Sequence, residues 1–469
     1  MPDPSPEAAK PRAPQLWEAL VPVAALIAIL GVNIFAFESA DHQLPLILAA
    51  AVAAIMGTRL GCSWKAMEEG MIHSIQIGLK AVLILCVVGM MIGTWIAGGV
   101  VPLLIQYGLK ILNPSIFLVA CCLTCVVVSL ATGSSWTTAG TVGIALVGVG
   151  QALEVSPGMT AGAIISGAYF GDKMSPLSDT TNLAPAVAGS DLFEHIGHMV
   201  YTTIPALVIA LILYAVLGTK AAAGVEVGGN VAVISEAIEN GFSLNPVLLM
   251  APALVIGLVL YRVPALPALL AGAVIGGLLA VAVQKMGAKD VFHIAINGFE
   301  STIGVKAVDE LLSRGGMLNM MPTVALILCA LGFGGIMERT GLLGCLASAL
   351  LSFAKSVGSL ITATVGTCIG VNCLAPEQYL SIVVPGRMYA GAYQDKGLEP
   401  KNLSRTLEDA GTMTSPLIPW NACGAFMGAT LTIKASQYWC FAFVNLLCPI
   451  IAIVLGYMGW KIAMLKKTD

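Results

Sequence analysis

Charge is what this sequence has little of. Only 10% of its 469 residues are Asp, Glu, Lys or Arg, while 57% are hydrophobic. A soluble domain carries charge at about a quarter of its positions. The deficit is too large for a buried core to explain, so lipid is the solvent for most of the chain, in keeping with a mean hydropathy of +0.89. Basic residues are not in excess either: a net charge of −3 argues against nucleic acid as a partner. No CxxC pair has a matching second pair, which argues against a zinc site. The 12 cysteines lie almost entirely in apolar runs, as at Cys121, Cys122, Cys125 and Cys448, where cysteine acts as a small apolar residue. GxSxG, HExxH and GxGD signatures are missing, which sets aside an intramembrane enzyme. No enzyme activity and no cofactor are expected. A secretory signal pattern is missing too: residues 1–15 read as a polar, Pro-rich flexible tail, and the first apolar run begins near Leu16.

What is present is a series of apolar runs. A membrane-spanning helix needs ~20 mostly apolar residues. Such runs occur at about 16–37, 44–60, 79–98, 114–131, 196–218, 245–261, 264–284, 318–337, 357–371 and 436–459. The fold class expected is an all-α polytopic membrane protein. Four further stretches, 132–155, 158–190, 372–393 and 399–432, are apolar but interrupted. The loop 219–244 reads as a solvated linker between a first repeat at 16–218 and a second at 245–469. Lys10, Arg12, Arg59, Lys65 and Lys80 flank the first two spans on one side, and the loop between these spans has Glu38 and Asp41 but no basic residue. The positive-inside rule then puts the N-terminus in the cytoplasm.

The halves resemble each other. Aligning Ser175-Pro176-Leu177 with Ser415-Pro416-Leu417 also aligns Gly171 with Gly411, at an offset of 240 residues. Each half opens with two apolar spans and then a short mixed helix (65–79 and 290–303), which predicts an internal repeat. Gly/Pro-interrupted segments at matching places in two repeats are the sequence pointer to a transporter binding site. A helix break frees backbone N–H and C=O groups that lipid cannot satisfy, and coordinating an ion uses them. Six crossings per half imply parallel repeats.

The first break, Gly171 to Asn182, holds Asp172, Lys173, Ser175, Ser178, Asp179, Thr180, Thr181 and Asn182. Charge at the bilayer centre is expensive, so these groups pair, face water or bind an ion. Sodium is a hard cation that prefers oxygen ligands. Asp172 and Asp179 are the carboxylates expected to hold Na+, each able to carry a proton or face sodium but not both. Alternatively, Asp172 and Lys173 form a structural pair and Asp179 caps a helix. Upstream, the Gly133–Thr138 segment predicts the tip of a re-entrant hairpin, with Ser134, Ser135, Thr137 and Thr138 as oxygen donors. In the second half, Asn372 and Glu377 occupy the hairpin position, and Thr412, Thr414, Ser415 and Asn421 the break. There Thr412 replaces Asp172 and Pro419 replaces Asp179. Asp409 and Glu408 either complete the site or lie in a water-filled vestibule. Glu194, His195 and His198 do not form HExxH and are expected at the interface near a span end.

On Gly133-Ser-Ser-Trp-Thr-Thr138, on the run Gly167-Ala-Tyr-Phe-Gly-Asp-Lys-Met-Ser-Pro-Leu-Ser-Asp-Thr-Thr-Asn-Leu-Ala184, and on Leu312-Ser-Arg-Gly-Gly-Met317 and Gly334-Gly-Ile-Met-Glu-Arg-Thr-Gly341, the sequence resembles the NhaC-type sodium:proton antiporter family. The resemblance covers nearly the whole chain. It implies a bacterial inner-membrane antiporter exchanging Na+ for H+, with inverted repeats, two re-entrant hairpins, and a homodimer whose transport domain moves as an elevator. Some family members exchange malate for lactate coupled to protons and sodium, which is the alternative. One Lys and two Asp in the breaks favour cation exchange over a dicarboxylate site, which wants Arg, Lys or helix N-termini. A channel, with charged rings or a carbonyl filter in a symmetric oligomer, fits an internally duplicated chain with a buried Asp less well than alternating access does.

Overall fold

The computed structural model describes residues 11–37, 41–222 and 229–465. Residues 1–10 of the expected tail, with Lys10, and Glu38 and residues 223–228 of the expected linker lie outside the described residues. Among the described residues the architecture is all helical, and the sole β feature is a bridge between Leu398 and Met464. Among the described residues seven helices are long and apolar enough to cross a membrane, or up to nine if each of two bent pairs is one span. The chain is a multi-pass membrane protein.

Local sequence sets the helix ends. Asn113 accepts from the Ile116 N–H and Pro114 occupies the first turn of the Pro114–Thr132 helix, where its missing N–H costs nothing. That helix stops at Gly133, whose φ of 65° is left-handed. Gly99 and Gly341, at φ 79° and 75°, make matching sharp steps after the Trp64–Ala97 and Met321–Arg339 helices. The separate mixed helix expected at 65–79 does not exist. Trp64–Ala97 is one 34-residue helix, about 51 Å long at 1.5 Å per residue, and its charged first half simply extends past the apolar part. In the other half the mixed helix is Ala288–Asn297. The segment read as a linker carries a helix at Gly229–Gly241, bent by 96° from the helical segment that follows it.

Two helical hairpins organise the interior. In one, Pro114–Thr132 turns at Gly133 and Ser134 into the helical run 135–152, which carries a π-turn at Ala139–Gly143. In the other, Val357–Leu374 turns through 375–377 into Gln378–Asp395. Its arms are antiparallel: the Thr367 and Tyr389 hydroxyls meet at 2.6 Å, and those of Thr364 and Tyr393 at 3.2 Å. Pro114–Thr132 also packs closely on Pro157–Met174. A Cβ on Gly171 would come within 2.6 Å of the Ser129 Cβ and 2.7 Å of the Val126 carbonyl. The Ser129 hydroxyl donates to the Ala168 carbonyl at 2.5 Å. Small residues are what allow two membrane helices this proximity.

Candidate functional site

The hairpin tips and the two helix breaks converge. The Pro157–Met174 helix ends at the break, and Asp179–Ala188 begins after it, capped by Ser178 rather than Asp179. The Gly133 tip lies against this break, where a Cβ on Gly133 would sit 2.6 Å from the Leu177 Cβ. The other tip lies against the second break, with the Ala422 N–H donating to the Pro376 carbonyl at 3.0 Å. The tips also cross over. Trp136 of the first stacks on Phe426 beyond the second break, ring centroids 4.0 Å apart. Tyr379 of the second donates its hydroxyl to Asp179 of the first break at 3.2 Å.

A cavity of about 700 Å³ opens at this junction. Asp172 lines it and is 7% exposed. Its Oδ2 accepts from the Ser135 hydroxyl at 2.6 Å and the Ser135 backbone N–H at 3.1 Å. Ser134, Thr137, Ser178 and Thr180 bring hydroxyls to the same wall. Glu377 lines it from the second tip, where its Oε2 caps the Gln378–Asp395 helix by accepting from the Tyr379 and Leu380 N–H groups at 2.6 and 3.3 Å. Among the described residues no group of three or more His, Cys, Asp or Glu is arranged to hold a metal ion in the manner of a resident metal site. Two cations, Lys80 and Arg262, also line the cavity.

A second set of charges is buried behind it. Lys173, next to Asp172 in sequence, forms an ion pair with Asp409, and neither side chain has any exposure. The alternative reading of a structural Asp172–Lys173 pair is therefore not met: the partner of Lys173 is Asp409. Thr202 donates to the same Asp409 oxygen at 2.8 Å, and the Arg405 Nε lies 3.9 Å from the other. Glu408 is also fully buried.

A family model described as the Na+/H+ antiporter family matches residues 167–460. The chain is 41% identical to the Na+/H+ antiporter NhaC of Alkalihalophilus pseudofirmus, covering 92% of this chain and 94% of that one. It is 38% identical to the arginine/ornithine antiporter ArcD of Halobacterium salinarum, covering 96% and 93%. It is 36% identical to the malate-2H+/Na+-lactate antiporter of Bacillus subtilis, covering 96% of each. The chain belongs to the Na+/H+ antiporter family.

In this antiporter-family chain, seven of the residues singled out from sequence line the cavity: Ser134, Ser135, Thr137, Asp172, Asp179, Thr180 and Glu377. Asp179 stands at the exposed side, 62% exposed and 2.9 Å from Lys80. Asn182 is exposed and bonds the Pro176 and Ser178 carbonyls at 2.9 and 2.7 Å. Thr138, Ser175 and Thr181 hydrogen-bond backbone carbonyls: Thr138 that of Ser134, Ser175 that of Leu130, and Thr181 those of Asp172 and Lys173. Asn372, Thr414 and Asn421 clamp one another away from the cavity. Asn372 donates to the Gly411 carbonyl at 2.7 Å and to Thr414 at 3.0 Å, and Asn421 donates to Asn372 at 3.1 Å. Ser415 bonds the Thr412 carbonyl at 2.7 Å.

Sequence reasoning passed over Gln378 and Cys423 in the cavity wall, and Arg405 and Thr202 behind it. Arg405 had a readable signal, since it stands one helical turn before Asp409. Lys80 served only as a topology marker, yet it faces the cavity from the middle of Trp64–Ala97. His195 is not interfacial: it is fully buried, with its Nδ1 2.8 Å from the Ser404 hydroxyl. His198 lies 3.2 Å from the Asn402 side-chain oxygen.

Proposed function

We propose that this protein exchanges Na+ for H+ as a secondary antiporter in a bacterial inner membrane, and that Asp172 is the carboxylate for which the two ions compete. The observation that carries this reading is a nearly buried carboxylate in the wall of a cavity where two hairpin tips meet a helix break. Ser134, Thr137, Ser178 and Thr180 line the same cavity, and their hydroxyl oxygens are the donor type that a hard cation prefers. Both hydrogen-bond donors from Ser135 meet Oδ2, which leaves Oδ1 for sodium or a proton. One carboxylate that holds one ion at a time couples the two gradients without any cofactor. Asp179, paired with Lys80 at the exposed side, serves as an entry ligand for Na+. The Asn372–Thr414–Asn421 clamp holds the second tip and break in place.

The chain is proposed to be built from two repeats whose hairpins are re-entrant. The matching left-handed glycines at 99 and 341 support this, as do the contacts of the first tip with the helix after the second break and of the second tip with the first break. Inverted repeats, a homodimer and elevator motion are carried from the family resemblance.

A cavity of about 700 Å³ is the size of a small-molecule site and far exceeds one ion. With Lys80 and Arg262 in its wall, it favours a second reading: an organic anion such as malate or lactate moves with the ions, as the name of the Bacillus subtilis relative describes for that protein. The test is the purified protein in liposomes loaded with a pH dye. On the first reading, sodium alone moves protons and Asp172→Asn abolishes the movement. If sodium alone is silent and malate or lactate restores it, the second reading replaces the first.

A further inference from the structure

The charges behind the cavity do not balance by contact. Lys173, Arg405, Asp409 and Glu408 have no solvent exposure. Both cations point at Asp409: Lys173 pairs with one oxygen and the Arg405 Nε lies 3.9 Å from the other. Neither oxygen of Glu408 has a hydrogen-bond partner, and the Thr412 hydroxyl one turn later has none either. An ionised carboxylate in a protein interior is strongly disfavoured as long as it has no donor. Glu408 therefore holds a proton or a cation.

Its position adds to this. Glu408 opens the π-turn Glu408–Thr412, a helix distortion frequent at functional sites. The groups that act on it are the Thr412 and Thr180 hydroxyls, Lys173 and Asp172. Thr180 also lines the cavity, so it stands between the cavity and the buried charges. The titratable groups on the packed elements around Glu408 are Asp172 and Lys173 on one helix, Arg405 and Asp409 on its own, Cys368 on the second hairpin, and Cys448 on the last helix beside Lys173 and Asp409. His195 approaches Lys173 from the side of the Leu192–Ala222 helix.

We propose that Glu408 is a second proton-carrying carboxylate that exchanges through the Thr180 hydroxyl with the Asp172 cavity, so that two protons move against each sodium ion and each cycle carries net charge. Sodium replaces the Asp172 proton without changing that site's charge, but by taking the Thr180 oxygen as a ligand it turns the Thr180 hydroxyl proton toward Glu408 and gives the ionised carboxylate the donor it lacks. Two protons then leave as one cation enters, and charge balances with one positive charge crossing per cycle. This rests on the Na+/H+ reading of the same cavity.

Two measurements test it on the full-length protein. Protons released when sodium is added to detergent-solubilised wild type are counted with a pH dye against the amount of protein. Two per chain is expected for wild type, one for Glu408→Gln and none for Asp172→Asn. In liposomes, an imposed inside-negative potential should change the wild-type exchange rate several-fold and leave that of Glu408→Gln unchanged. One proton per chain in wild type overturns the proposal, as does a Glu408→Gln protein that matches wild type in both release and voltage response. If Glu408→Gln does not fold, the wild-type count alone decides. If sodium releases no proton from wild type but malate or lactate does, the Na+/H+ reading fails, and the same comparison of wild type with Glu408→Gln under the organic anion still decides whether Glu408 carries a proton.

Discussion

The Lys173–Asp409 pair makes an asymmetric prediction. Both side chains are fully buried, so removing one partner strands a charge in the interior, at about 3–5 kcal/mol. The two removals are not equivalent. Lys173→Met leaves Asp409 with the Thr202 hydroxyl at 2.8 Å and the Arg405 Nε at 3.9 Å, so its cost falls toward about 3 kcal/mol. Asp409→Asn removes the one carboxylate that both cations contact, so its cost falls toward about 5 kcal/mol. The Lys173→Met/Asp409→Asn double variant strands only Arg405, one of whose nitrogens already donates to the Lys461 carbonyl at 3.0 Å. Its cost should be roughly 5 kcal/mol rather than the additive sum of about 8, a coupling at the upper end for contacting residues. The assay is denaturant unfolding of the four proteins in one detergent, followed by tryptophan fluorescence, with monodispersity checked beforehand. Additive costs, or Asp409→Asn milder than Lys173→Met, would refute the reasoning.

Other expectations follow from single contacts. Gly171→Ala should destabilise the protein by about 1–3 kcal/mol through overpacking, because its new methyl would meet backbone and Cβ atoms of residues 126–130; thermal unfolding of the purified variant measures this. Lys80→Gln should change stability by less than about 1 kcal/mol, as an exposed pair does, since Lys80 and Asp179 are 56% and 62% exposed; the same unfolding assay checks it. Asp309 accepts from the Ser301 hydroxyl and the Ile303 and Gly304 N–H groups at 2.6, 2.9 and 3.0 Å, and the Ser301 hydrogen bond in particular holds its carboxyl below the usual value. A lowered folded value means the loop is stabilised above the unfolded carboxyl's pKa of about 4 and loses that support as pH falls through the folded value. Hydrogen exchange at Ile303 and Gly304 should accelerate, relative to the intrinsic rate, as the protein is taken below about pH 4, and should already be fast at neutral pH in Asp309→Ala.

Much of the frame was legible from single residues, because helix length, helix ends and breaks are local matters. Apolar runs long enough to span lipid announce themselves without tertiary information, and so does the interruption at Gly133–Thr138, where Gly133 takes a left-handed φ and ends the helix. The boundary expected near residue 79 failed for a related reason. Lys80 looks like the end of a charged segment, yet it lies within a continuous helix and faces a cavity, which no local pattern reveals.

The partners inside the breaks were settled only by the tertiary structure. Asp172 and Lys173 are neighbours in sequence, and successive residues on a helix point about 100° apart. One therefore faces the cavity and bonds Ser135, 37 positions earlier, while the other turns inward to Asp409, 236 positions later. The composition of the break determined that ionisable groups would have to be paired, hydrated or ion-bound in lipid. Which group took which course depended on which helix packed against each face.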